Sequence, residues 1–586
     1  MLTSSMNPIE LHPHPLHPIP FMSTQLQSPP RQVQPSQHPI TLLDKIQEYA
    51  LQGDQLAIVD TFTGISKTYQ DLLEDVRTLS TSLFASVRDN AHAFSAQPVL
   101  NLLPSGYPWM ITQLSLWSLH AINVPQAVTQ AHRELVHVIK TGPIRIAICF
   151  ESELEKLSNL GLQTIIILSN DGTRVLRTDS HPAITLSKST TNKATNEVAL
   201  MLFTSGTTGQ PKGVPLTHSA IAQQCRSMGS AWEWKSKDRI LHCLPLTHIH
   251  GIINALVVPI WYGATVEFLG TPFSPSNIWT RILDQKLEPI TIFMAVPTIY
   301  YRLVNFIQAD NGELIRRLCS ISGSSVDQAE ALKRACKKLR LMISGSAPLS
   351  TAIKDRWAAL TSHILLERYG MTETGMILSC PLRPISGRLD GHVGLPLPGV
   401  TVRLRNTESG EIFDDDTREE QGEIEVSGPS VFTGYWGDRK WAGDYFTTDR
   451  FFRTGDIAVR SGSNGSYRLL GRSSTDIIKT GGEKVSALEI ERVISGLEEV
   501  ADVSVVGLLH KEWGQAVGCV LVLKPINSKR DLSDVTVLRE ALKSELSPFK
   551  LPKKVKIYEH EIPRNAMGKV QKPQLAKVAF PEFFED

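Results

Sequence analysis

From about Thr41 onward the chain alternates amphipathic stretches with short apolar runs. TLLDKIQEYALQ, starting at Thr41, carries apolar residues at helical spacing and predicts an amphipathic helix. VALMLFTSG, ITIFMAVPT, RLMISGSAPL and HILLERYGMTE share another shape: an apolar run that breaks into Gly, Ser, Thr or Pro. Strands covered on both faces look like this, and SAIAQQCRSMGSAW predicts a helix among them. The alternation predicts an α/β domain whose sites lie where strands run out into loops. The polar, acidic stretch 407–421, TESGEIFDDDTREEQ, predicts a turn-rich surface connection. Beyond Gly471 the spacing tightens. SALEIERVISGL and TVLREALKSEL predict helices, and VADVSVVGLL and AVGCVLVLKP predict strands, together one small α+β domain.

Composition narrows the picture without redirecting it. At 586 residues the chain is long enough for two or more domains. Sixty basic residues face 59 acidic ones, so charge gives no reason to expect a nucleic-acid partner. No uncharged apolar run is long enough to span a bilayer. Seven cysteines are scattered without a CxxC, which fits free thiols in a reducing compartment rather than a disulfide framework or zinc site. Residues 1–40 are rich in Pro, His, Gln and Ser and are expected to be a disordered tail. That tail makes a poor mitochondrial presequence or secretory signal, and the chain's last residues, PEFFED, are not the SKL peroxisomal address. The expected location is cytoplasmic, with mitochondrion and peroxisome left open.

TSGTTGQPKG is the first stretch with visible chemistry. Thr204, Ser205, Thr207 and Thr208 supply hydroxyls, while Gly206 and Gly209 let backbone N–H groups approach a ligand. Such a nest of donors suits phosphate oxygens, and Lys212 adds a point charge. The spacing fails the GxxxxGK[ST] pattern of a Walker loop, because Pro211 stands where a glycine is needed.

Further motifs follow in order: RYGMTETG at 368–375, RTGDIA at 453–458, GRSSTDIIKTGGEKVSALEIE at 471–491 and PRNAMGKVQK at 563–572. With the loop at 204–213 they resemble the adenylate-forming enzymes, which comprise acyl-CoA synthetases, luciferases and peptide-synthetase adenylation domains. The resemblance covers the chain from about residue 41 to its end. It implies a large, multi-subdomain N-terminal α/β domain at 41–470, a hinge at 471–474 centred on Ser474, and a small mobile C-terminal α+β domain at 475–586. It implies ATP, Mg²⁺ and coenzyme A as reaction partners, with a carboxylate first converted to an acyl adenylate. By the same resemblance the loop residues Thr204 to Gly209 with Lys212 hold the phosphates. Gly345, Ser346, Ala347 and Tyr369 meet the adenine, and Asp456 and Arg472 the ribose. Thr372 donates to a phosphate, Glu373 holds Mg²⁺, and Lys569 is the lysine that serves adenylation. Lys479, Gly481 and Gly482 then line the arm of coenzyme A. Serine at 474 departs from the Asp or Lys often found at that hinge.

Arg368 stands where most of the family has Gly or Ala. A guanidinium is always charged, and its fork matches a carboxylate. If HILLERYGM is extended, Arg368 and Tyr369 face opposite sides, one toward the acid and one toward adenine. A cation there disfavours a fatty chain and favours a second carboxylate. His248 and His250, in PLTHIHGIINAL, and Met371 complete the expected acid pocket. These segments resemble the malonyl-CoA synthetase branch of eukaryotic type, with Thr247, Pro348 and Glu483 as departures. The expected activity is an ATP-dependent acid–CoA ligase acting on malonate or a short substituted malonate. Alternatives at this point are a medium-chain or aromatic monocarboxylate, loading of a carrier protein, and a non-catalytic nucleotide-binding protein.

Overall fold

A computed structural model of the chain describes residues 41–87, 94–180, 198–205, 210–270, 273–284, 286–310, 312–319, 325–413, 418–437, 445–525, 530–565 and 568–584. The expected tail lies outside these residues. So do Gly206, Thr207, Thr208 and Gly209 of the signature loop.

Among the described residues the strands form three sheets. The largest has a parallel centre. Leu366–Met371, Leu341–Ser344, Ile292–Ala295, Arg239–His242, Thr265–Phe268 and Leu56–Asp60 follow one another across it. Ile292–Ala295 and Leu341–Ser344 are buried throughout, which explains their unbroken apolar pattern. Beyond Leu366–Met371 the sheet turns antiparallel, through Gly375–Ser379 and His392–Pro396 to Tyr467–Arg472 and Phe452–Arg460. The acidic stretch 407–421 belongs to this antiparallel part. Instead of a plain surface connection it carries the strand Ile412–Phe413 and the start of Glu420–Ser427, both paired with Thr401–Arg405. The turn-rich composition marked a hairpin tip, and short flanking strands have too few alternations to show in the pattern.

The second sheet is mostly parallel and ends in the hairpin Val198–Ser205 with Pro211–Thr217. One core joins it to the first sheet, since Ile148 and Leu200 share a buried cluster with Ile58 and Ile343. The helix Tyr107–Ser118 lies in that core and is buried from Tyr107 to Trp117, as an all-round apolar helix must be.

The third sheet forms the small C-terminal domain. Val500–His510 and Gly514–Leu523 make a long antiparallel pair, and the free edge of Gly514–Leu523 takes both the hairpin Ile477–Thr480 with Glu483–Ser486, at Gly514, and the parallel strand Lys554–Ile557 further along. The helices Ala487–Ser495 and Val535–Leu542 cover it, packing Ile490, Ile494, Leu538 and Leu542 onto Val505 and Leu521. Among the described residues no helix is long and apolar enough to cross a membrane.

Candidate active site

The residues expected to hold the acid meet where two neighbouring parallel strands end. Leu341–Ser344 runs into Gly345 and Ser346, and Leu366–Met371 carries Arg368. Arg368 is 3% exposed. Its Nη2 donates to Ser346 Oγ at 3.3 Å, and its Nε has no hydrogen-bond partner. No carboxylate among the described residues pairs with it. Burial pushes its pKa down to about 9, so it stays charged at neutral pH. Gly345 leaves room for this guanidinium, because a Cβ on it would lie 2.6 Å from the guanidinium carbon and push the side chain aside. Ser346 sits at φ 70°, a left-handed conformation that costs a serine free energy and collects at functional sites. That turn places its hydroxyl between Arg368 and His250, whose Nδ1 is 3.3 Å away.

His250 is buried and opens a π-helix, His250–Val257. Burial holds its pKa well below the usual histidine value, and the nearby charge of Arg368 adds to the effect. His248, half-buried, is pushed down to about 4 by burial and then by Lys569. Both rings are therefore neutral at neutral pH, and Arg368 carries the pocket's charge. Met371 is half-buried and packs against the main core.

Tyr369, the next residue on the strand, faces the other way. Its hydroxyl donates to Asp456 Oδ2 at 2.6 Å. Asp456 also accepts from Arg472 Nε at 2.8 Å and Nη2 at 3.3 Å. These two residues are register partners on adjacent antiparallel strands, which is why two distant motifs meet. Glu373 follows in the turn that also holds Thr372. It is buried, accepts from the Tyr435 hydroxyl at 2.9 Å, and has its pKa raised, chiefly by burial. Among the described residues no three His, Cys, Asp or Glu side chains converge as a metal cage. A lone buried carboxylate fits Mg²⁺ in the form that cation usually takes with nucleotides, one or two carboxylates plus phosphate oxygens.

Thr204 pairs with Lys212 across the signature hairpin. The Lys212 ammonium donates to the Tyr445 hydroxyl at 2.7 Å and lies 4.8 Å from the Tyr435 ring centre. The sequence reasoning missed Tyr435 and Tyr445. VFTGYWGD, an aromatic cluster interrupted by glycines, sets Tyr435 apart but says nothing of its partner, and nothing local sets Tyr445 apart.

The small domain delivers Lys569. Its backbone N–H donates to Asn565 Oδ1 at 2.9 Å, and Gly568 sits so close to Thr298 that a Cβ there would lie 2.7 Å from its hydroxyl. Glu561 reaches Arg302 across the same boundary at 3.6 Å. Lys569 stands in an open cleft, in contact with solvent yet crowded by protein. That crowding lowers its pKa, with Arg472 adding to the effect and Asp456, Asp476 and Glu373 opposing it. Near its loop, Lys572 lies buried between Asp476 at 2.7 Å and Glu491 at 2.8 Å. Asp476 also accepts from the Arg472 N–H, which ties that lysine to the turn holding Ser474. Lys479, Gly481 and Gly482 do not join this cluster. Their hairpin is held elsewhere on the large domain, where Lys484 donates to Glu408 at 2.9 Å and Thr407 at 3.1 Å.

The site thus joins a buried cation with no carboxylate partner among the described residues, a buried carboxylate held by Tyr435, the Asp456–Arg472 pair and a lysine from the small domain. The AMP-binding enzyme family matches residues 47–436, and the AMP-binding enzyme C-terminal domain matches 489–569. A CoA ligase of Gibberella moniliformis is 37% identical, with 91% of this chain and 93% of that protein covered. A mitochondrial malonate–CoA ligase of Xenopus laevis is 34% identical, with 88% of each chain covered. The crystal structure of ATP-bound MatB from Rhodopseudomonas palustris matches with a TM-score of 0.75 at 29% identity, covering 92% of this chain and 98% of that one. The ordered motifs, the large domain and the small C-terminal domain all agree with these matches, and the chain belongs to the AMP-binding enzyme family.

Proposed function

We propose that the protein is an ATP-dependent acid–CoA ligase that activates malonate or a short substituted malonate. The observation that carries this reading is Arg368, a buried guanidinium with no carboxylate partner among the described residues. Leaving a charge so placed is costly, and a ligand carboxylate offsets that cost. The names of the Xenopus and Gibberella relatives support the same chemistry.

In the first step an oxygen of one malonate carboxylate attacks the α-phosphorus of ATP. A new P–O bond forms, the bond to the β-phosphate oxygen breaks, and pyrophosphate leaves. Two anions must meet, so oriented cations and donors carry the catalysis. Lys569 is placed to steady the charge between carboxylate and α-phosphate. Tyr369 lies along the base, and Asp456 with Arg472 holds the ribose. The loop from Thr204 to Gly209, with Lys212 and Thr372, holds the phosphates, and Gly345, Ser346 and Ala347 form a wall beside the base. Glu373 would hold Mg²⁺, which screens phosphate charge when bound. In the second step the sulfur of coenzyme A attacks the acyl carbon, the C–O bond to AMP breaks, and the thiol proton is released. For this step the small domain swings about Ser474, and the hairpin with Lys479, Gly481 and Gly482 comes to the site.

The test is acid-dependent AMP release by the purified chain in the presence of CoA, comparing malonate, methylmalonate, acetate, octanoate and 4-coumarate. Malonate or methylmalonate is expected to give the highest kcat/KM. A higher value with octanoate or 4-coumarate refutes the dicarboxylate reading and leaves the ligase chemistry standing.

The neutral histidines add a pH expectation. If a histidinium held the acid, KM would rise as pH increased through its pKa, near 6.5 for an ordinary histidine. With His248 and His250 both depressed by burial, KM for malonate is expected to stay level between about pH 6 and 8. Initial rates across that range check it.

A further inference from the structure

The helix that begins at His250 carries one more polar group that no motif accounts for. Asn254 is fully buried, and among the described residues neither its Oδ1 nor its Nδ2 has a hydrogen-bond partner. Asn123, equally buried, is half satisfied, since its Nδ2 donates to Gln113 Oε1 at 2.9 Å while its Oδ1 has no partner among the described residues; Asn101, like Asn254, has neither amide atom bonded. A buried primary amide with nothing to bond is rare in a folded protein, because each unmade bond costs free energy.

The position of Asn254 gives the reason. It lies within the π-helix His250–Val257, four residues after His250. In a helix bonded from i to i+5, residues four apart follow one another along a single face, a little short of a full turn. The helix start is fixed against the loop before it. A Cβ on Gly251 would lie 2.2 Å from the Pro245 carbonyl oxygen, and His242 Nε2 lies 2.9 Å from the Gly251 carbonyl. The face is therefore set by His250, which meets Ser346, which meets Arg368. His250 Nε2 and Arg368 Nε are themselves buried and without partners. Asn254 thus shares its helix with His250, which leads through Ser346 to Arg368, while Ile252, Ile253, Leu256 and Val257 of the same helix join the apolar core.

We propose that Asn254 is a specificity-determining residue, its side-chain N–H donating to the distal carboxylate of the acid beside Arg368. This rests on the dicarboxylate reading of the pocket. Arg368 supplies the charge, and the amide supplies a neutral donor whose bond an alkyl chain cannot replace. An acid lacking the second carboxylate leaves the amide unbonded, which disfavours it.

The experiment compares malonate with 3-methylbutanoate, in which an isopropyl group takes the place of the second carboxylate. Asn254→Leu keeps the branched shape and removes the amide; Asn254→Ala is measured beside it, so one variant decides if the other does not fold. KM for ATP, expected within about twofold of wild type, reports an intact nucleotide site. The expected result is a KM for malonate raised roughly 10- to 100-fold, the scale of one hydrogen bond to a charged group, with 3-methylbutanoate unharmed or improved. Asn254→Asp, which sets a carboxylate against the ligand's own, is expected to lose malonate further. An unchanged KM for malonate in the folded variants, with wild type still preferring malonate, overturns this inference alone. Wild type preferring 3-methylbutanoate overturns the dicarboxylate reading and this inference together.

Discussion

Arg368→Ala is expected to lower kcat/KM for malonate by about 30- to 4,000-fold while leaving 3-methylbutanoate activation near its wild-type value. The range follows from the roughly 2–5 kcal/mol lost when one partner of a buried, hydrogen-bonded charge pair is truncated. The partner left behind is the distal carboxylate, which then enters a pocket lined by neutral His248 and His250. Arg368→Lys is expected to fall in between, since an ammonium gives a point charge but not a planar fork. Stability should move the opposite way. In the free protein the guanidinium is buried with Ser346 Oγ as its only partner among the described residues, so Arg368→Met, similar in length and apolar, is expected to raise Tm. Parallel loss of malonate and 3-methylbutanoate activation, with Tm unchanged or lowered, would show that Arg368 holds the strand rather than the acid.

Lys569→Ala separates the two half-reactions. Malonate-dependent ATP–pyrophosphate exchange is expected to drop on the order of 100- to 1,000-fold, the cost of removing one preorganised donor from a developing charge. Transfer to CoA from supplied malonyl adenylate is expected to survive, because the proposed swing takes Lys569 away before that step. Equal loss in both assays would mean that the lysine serves the fold or the AMP moiety generally. KM for ATP should change little, since the Asp456–Arg472 pair and Tyr369 remain in place.

Much of this was legible in the chain because the chemistry sits in contiguous motifs. The alternation of Arg368 and Tyr369 followed from the extended backbone of HILLERYGM, and the structure places one on Ser346 and the other on Asp456. The central strands were legible because burial on both faces leaves an unbroken apolar run. The antiparallel half of the large sheet was not, since its strands are short: Thr401–Arg405 alternates polar and apolar, but over only 5 residues. Tyr435 and Tyr445 were invisible as ligands of Glu373 and Lys212 because contacts between segments so far apart leave no trace in local spacing. Asn254 was hidden for another reason. One asparagine in IINALVV looks like a tolerated polar break, and only burial without a partner marks it out.

The buried ion pairs of Lys572 have a mechanical meaning. Asp476 belongs to the turn at the hinge, Glu491 to the first helix of the small domain, and Lys572 to the segment that bears Lys569. Clamped together, these pieces would turn as one lever in the proposed swing. Under that proposal, withdrawing the lysine and presenting the glycine hairpin are opposite ends of a single rotation. The two tools then exclude each other from the site, and the order of the two reactions follows from the linkage.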